Sequence, residues 1–168
     1  MRTVSLICGG LLWASASFAV SRVGGGTCSN PDEGFAYTIP LTFSVSSVYS
    51  DDSVQLSGFM VFGPLSGQAS FEKVNQYLLR PQIPELADVT DRAEVVQYFL
   101  RKHWSRVGSA DPCLEIYSYE SAFGYSVVIG WGAGRGLVLS GPPTDHVKWG
   151  IGEIVNSIQL NMGACSWK

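Results

Sequence analysis

Residues 130–143, GWGAGRGLVLSGPP, set glycines at 130, 132, 134 and 136 and close on Gly141-Pro142-Pro143. A glycine-rich stretch cradles phosphate when a strand enters it and a helix leaves it, because the helix N-terminus then aims free amides at the anion. It turns a chain sharply when a strand follows, because glycine adopts positive φ at little cost. Here Tyr125 to Trp131, YSVVIGW, leads in and Leu137-Val138-Leu139 leads out, both β-rich. Neither G-x-G-x-x-G nor G-x-x-x-x-G-K spacing occurs, so the stretch reads as an antiparallel hairpin and the fold as one built on an antiparallel sheet.

Working outward, CLEIYSYE from Cys113 alternates at period two, as a half-buried strand does. GFAYTIPLTFSVSSV, residues 34–48, is two short strands or one broken at Pro40, and Val54 to Phe62 is a further strand closed by Gly63-Pro64. Phe71, Val74, Tyr77 and Leu78 recur at helical spacing behind Ser70, which predicts a short helix over 70–80. Pro81 and Pro84 make the following segment a connector. Asp91 and Glu94 suit a capping box, with Ala93, Val96, Leu100 and Trp104 as the apolar face of a helix to about Ser105. Thr144 or Asp145 caps a last helix carrying Val147, Ile151, Ile154 and Ile158 on one face. The expectation is an α+β fold, an antiparallel sheet with helices packed on it, in a single domain over residues 34–168.

The first 19 residues carry one charge, Arg2, then an apolar stretch, then Ser17-Phe18-Ala19. That is the layout of a secretory signal peptide cut after Ala19, and Ser15 and Ser17 leave the apolar run short of the roughly 20 residues a membrane span needs. Residues 20–33, with Gly24-Gly25-Gly26, are then a flexible leader, and the expected place of action is the periplasm or the secreted medium. Neither Cys8 nor Cys28 is placed for lipidation. Cleavage leaves Cys28, Cys113 and Cys165, hence one disulfide and one cysteine over in an oxidising compartment. Cys165 is expected to bond Cys113 at a strand start or, alternatively, Cys28. Without C-x-x-C, zinc and thioredoxin-type redox sites are disfavoured.

Loss of Arg2 moves the formal net charge from −3 to −4, which gives no reason to expect nucleic acid. Arg101, Lys102, His103 and Arg106 read as a solvated helix end, or alternatively as a patch for an acidic partner. A nucleophile set of Cys113 with His103 or His146 and Asp111 or Asp145 lacks the flanks of a cysteine hydrolase, and no G-x-S-x-G elbow occurs. Two histidines without H-x-x-x-H spacing make no metal site, and Asp32-Glu33 and Asp51-Asp52 lack the alternating ligands and glycine of a calcium loop. No cofactor is expected. Trp104, Trp131, Trp149 and Trp167 lie near turns or element ends, where large aromatics serve the core or anchor a partner. Trp131, Gly132, Gly134 and Arg135, at the glycine hairpin, are the candidate partner-binding residues.

GFAYTIP at the start and IGEIVNSIQL near the end resemble the first strand and last helix of the PsbP-like superfamily, named for a photosystem subunit. The resemblance implies an α/β/α sandwich and a non-catalytic binding role, as in exported bacterial proteins, chaperones of type VI secretion effectors and toxin-immunity proteins. It carries over no functional residue. The functional expectation is thus an exported domain that binds another exported protein, foremost an immunity protein neutralising a periplasmic toxin, with no enzymatic activity. The alternatives are a chaperone or assembly factor of exported proteins, or a small hydrolase with dispersed carboxylates.

Overall fold

The computed structural model describes residues 7–9, 24–61 and 69–168; the expected cleavage point after Ala19 and the Gly63-Pro64 strand end lie outside them. The chain runs β1 (Ile7–Gly9), β2 (Gly26–Asn30), β3 (Phe35–Ile39), β4 (Phe43–Val48), β5 (Val54–Val61), β6 (Ala69–Leu78), α1 (Leu79–Gln82), a 3-10 turn (Pro84–Leu86) and α2 (Arg92–Arg101). It continues through β7 (Ser105–Val107), β8 (Glu115–Ser121), β9 (Gly124–Gly132), β10 (Arg135–Gly141), α3 (Asp145–Ser157) and β11 (Gln159–Leu160). Seven strands form one sheet in the order β4-β5-β6-β10-β9-β8-β7, and four form a second in the order β1-β2-β3-β11. Every pairing is antiparallel. The fold is α+β, as the sequence implies.

The glycine stretch is the expected hairpin: β9 and β10 pair through Ile129↔Leu137 and Val127↔Leu139. Gly132, Ala133 and Gly134 all take positive φ at its turn, a geometry that glycine supplies without strain. Pro40 separates two strands that belong to different sheets, β3 in the small one and β4 at an edge of the large one.

The large sheet has two apolar faces, set by alternation along its strands. Ile116, Val127, Ile129, Leu137 and Leu139 face one way, into the larger core with α3 and the small sheet. Tyr117 and Val128 face the other, under Val95 and Phe99 of α2 and Leu79 and Leu86 of the preceding turns. In α3 the expected face holds: Val147, Ile151 and Ile154 are fully buried, Ile158 follows at the C-cap, and Thr144 accepts the N-cap bond from Val147 N–H at 3.3 Å.

Three expectations are corrected. Residues 70–80 are chiefly strand β6. Gln76 and Val74 are buried on the core side, while Asn75 and Tyr77 lie on the other, so a buried glutamine breaks the apolar alternation and lets the aromatic spacing mimic a helix. Gln76 is held there by its Oε1, which accepts the Tyr37 hydroxyl proton. Helix α2 ends at Arg101, and it buries Val95 and Phe99 while Ala93 and Leu100 are exposed. Asp91 caps it by accepting from Ala93 N–H at 2.8 Å. Residues 26–30, assigned above to a leader, form β2, with Cys28 and Asn30 fully buried.

Cys113 and Cys165 are bonded, their Cα atoms 5.9 Å apart. Cys28 is also disulfide-bonded, so among the described residues no cysteine is free, whereas one was expected over after cleavage. That expectation set residues 1–19 aside, whereas β1 within them places Cys8 in register with Cys28. No helix among the described residues is long and apolar enough to cross a membrane.

Candidate binding surface

The β9–β10 tip, which carries the candidate partner-binding residues, is packed against other parts of the fold. Trp131 is fully buried, its ring 5.7 Å from Phe35 and its Nε1–H donating to the Glu33 carbonyl at 3.1 Å. The C-terminal tail crosses the hairpin and is fixed to it by Ser166 N–H on the Trp131 carbonyl at 2.8 Å. From the other side Ala133 N–H bonds the Val89 carbonyl at 3.0 Å, and Arg80 donates to the Ala133 carbonyl at 2.9 Å. A Cβ on Gly132 would lie 2.4 Å from the Ser166 backbone, and one on Gly134 2.3 Å from the Ala87 carbonyl oxygen. Both glycines therefore serve close packing. Arg135 is half-buried and its charge acts on Glu33, whose carboxyl burial pushes upward while Arg80 and then Arg135 pull it back.

The β8–β9 hairpin, in contrast, presents its turn to solvent. Ser121 pairs with Gly124, and Ala122-Phe123 between them is a two-residue turn. Phe123 is 96% exposed. The turn is braced, with Phe123 N–H donating to Ser121 Oγ at 3.2 Å and that hydroxyl to the Gly124 carbonyl at 3.4 Å. Below it, Glu120 meets Lys148 of α3 at 2.5 Å, and Tyr119 stands half-exposed beside Trp104 at 5.4 Å between rings. Sequence reading passed over this tip because Ala-Phe carries no turn signature of the Asn-Gly kind.

The other candidates separate. Cys113 is a disulfide partner, so it is no thiol nucleophile. His146 lies between Glu72 and Thr42, on different elements. Asp51 is spent on its own turn, accepting from Ser53 N–H at 3.0 Å and Ser53 Oγ–H at 2.6 Å, bonds that hold its carboxyl below the usual range. Asn30 Oδ1 likewise takes the N–H groups of Asp32 and Glu33 at 3.1 and 3.0 Å. Among the described residues no group of three or more His, Cys, Asp or Glu is arranged to hold a metal.

The basic run is divided. Arg101, Lys102 and His103 stay exposed at the end of α2, with Lys102 Nζ on the Tyr98 hydroxyl at 2.7 Å. Arg106, on β7, grips the buried Glu115 with two bonds of 3.0 and 2.7 Å. Glu115 also faces Arg92 at 3.4 Å and accepts the Tyr117 hydroxyl at 3.0 Å; burial and then that bond push the Tyr117 phenol well up.

No family model matches the chain, and no curated protein and no solved structure matches it either.

Proposed function

We propose that the chain is a binding domain that acts on another exported protein, with Phe123 at the β8–β9 turn as its anchor. The observation that carries this is an aromatic ring left 96% exposed on a turn already braced by its own hydrogen bonds. A backbone braced that way loses little freedom on docking, and buried aromatic anchors dominate the energetics of interfaces. An immunity protein that inserts this tip into the cleft of a periplasmic toxin is the reading that fits best. The disulfide and the signal-like first 19 residues support an oxidising place of action, and the PsbP-like ends point to the same binding role.

The test is capture from the native host on immobilised chain, followed by affinity measurement with Phe123→Asp and growth assays of the captured partner. The expected result is one exported partner that arrests growth when expressed alone, is neutralised by the native chain, and binds the variant roughly 30-fold or more weakly. A partner bound equally well by Phe123→Asp, at unchanged melting temperature, overturns the anchor. Absence of any exported partner overturns the function.

A further inference from the structure

The geometry points to an acyl-transfer site in which Thr42 is the nucleophile, His146 its general base and Glu72 the group that orients the imidazole. It is separate from the Phe123 turn, and its failure would leave the binding reading untouched. His146 Nε2 lies 3.0 Å from Thr42 Oγ1, and Nδ1 lies 2.9 Å from Glu72 Oε2. A carboxylate only accepts, so Nδ1 carries a proton toward Glu72; when the ring is neutral, Nε2 has its lone pair toward Thr42, whose hydroxyl then donates. Nucleophile, base and orienting acid in that sequence are the arrangement that activates a hydroxyl for attack on a carbonyl.

Three separate parts of the fold bring these groups together. Thr42 is an exposed central residue of the turn closed by Phe43 N–H on the Pro40 carbonyl at 2.9 Å. Glu72 stands on β6 in register with Gly58 of β5, which in turn pairs with Phe43 of β4. His146 is in the first turn of α3, laid over that row. Its ring stacks on Phe43 at 4.6 Å and on Trp149 at 6.1 Å, so its orientation is locked from two sides. Gly58 is required for this seat, since a Cβ there would fall 2.9 Å from His146 Cε1 and 2.6 Å from Phe43 Cε1.

The side chains of His146 and Glu72 are only 10% and 15% exposed, whereas the Thr42 hydroxyl stands at the surface. Reaction therefore occurs at the rim, with the base and its acid shielded behind. Leu41, 80% exposed, adjoins the hydroxyl in sequence, and Trp149, 48% exposed, adjoins the imidazole. A hydroxyl activated in this way suits a carboxylic ester as substrate.

Thr42 Oγ1 attacks the ester carbonyl carbon as its proton passes to His146 Nε2. Collapse of the tetrahedral species restores the carbonyl and breaks the bond from the acyl carbon to the alkoxy oxygen, and the departing alcohol takes that proton from His146. Water, deprotonated by His146, then attacks the acyl-threonine, releases the carboxylic acid and restores the Thr42 hydroxyl. Ester and water give acid and alcohol, with no further reactant.

The full chain is assayed with p-nitrophenyl acetate and butyrate and labelled with a fluorophosphonate. Hydrolysis above buffer, a rate that rises as the imidazole deprotonates, and an adduct on the Thr42 peptide are expected. Thr42→Ala is expected to fall to background, roughly 10³-fold, Thr42→Ser to stay active, and His103→Ala to change nothing. Glu72→Gln is expected to lower kcat about 100-fold at unchanged KM, with partial rescue by Glu72→Asp, the pattern of a positioning residue. Wild-type hydrolysis by Thr42→Ala, no hydrolysis by the native chain, or no adduct on Thr42 overturns the proposal. Thr42 is exposed in a turn, so its alanine variant decides the matter even where a buried variant fails to fold.

Discussion

Trp131 carries the largest fully buried side chain in the described core and is the residue on which binding and packing readings part. Its ring touches Phe35 and its indole N–H is spent on the Glu33 carbonyl, so it has no atom to offer a partner. Trp131→Ala is therefore expected to cost about 3–5 kcal/mol of stability, as other large-to-small core changes do. Phe123→Ala, in contrast, stays within about 0.5 kcal/mol, because the ring it removes is already in water. Urea unfolding of both variants checks this pair; equal midpoints would refute the burial argument. The glycine-hairpin residues were legible as turn formers, but burial of the tip arises from Ser166 and Ala87, far away in sequence.

Among elements, β7 is short, exposed along its length, and lies at an edge of the large sheet. Such a strand has little apolar burial to hold it. Glu115 supplies the hold by accepting from Arg106 and Tyr117 and pairing with Arg92 while nearly excluded from water. Glu115→Ala removes three partners and leaves the Tyr117 hydroxyl unmet, a loss expected at about 1–3 kcal/mol. Arg106→Ala, whose guanidinium is half-exposed and screened, is expected to cost about 1 kcal/mol or less, and Arg101→Ala about nothing. Thermal melts in low salt rank the three; a penalty for Arg101 equal to that for Glu115 would contradict this account. In sequence the four basic residues form one run, and only the pairing of β7 with β8 shows that Arg106 belongs to a buried carboxylate.

For the whole molecule, the Cys113–Cys165 bond joins the start of β8 to the tail across 52 residues of chain. It also fixes the tail where Trp167 donates its indole N–H to the Cys113 carbonyl at 2.7 Å and where Arg92 lies 5.5 Å over the Trp167 ring. Closing a loop of that size restricts the unfolded chain, so Cys165→Ser is expected to lower stability by about 2–4 kcal/mol. Because the tail covers Trp131, the variant is also expected to expose the β9–β10 tip to hydrogen exchange before global unfolding. Unchanged exchange there would show that packing alone retains the tail.

The sequence by itself determined the antiparallel hairpin, a strand region interrupted at Pro40 as one of two options, the last helix with its buried face, the Cys113–Cys165 pairing as one of two options, and the α+β class. These are local or pairwise properties: periodicity, turn chemistry and cysteine count act within a few residues or leave few alternatives. Tertiary structure alone decided that residues 70–78 are strand, where Tyr37, distant in sequence, meets the side chain of the buried Gln76. It alone decided that the β9–β10 turn is packed while the β8–β9 turn meets solvent, and it alone brought Thr42, Glu72 and His146 together across 104 residues of chain. The reason is physical: exposure, and contact between remote residues, are set by how elements stack, a property no local pattern encodes.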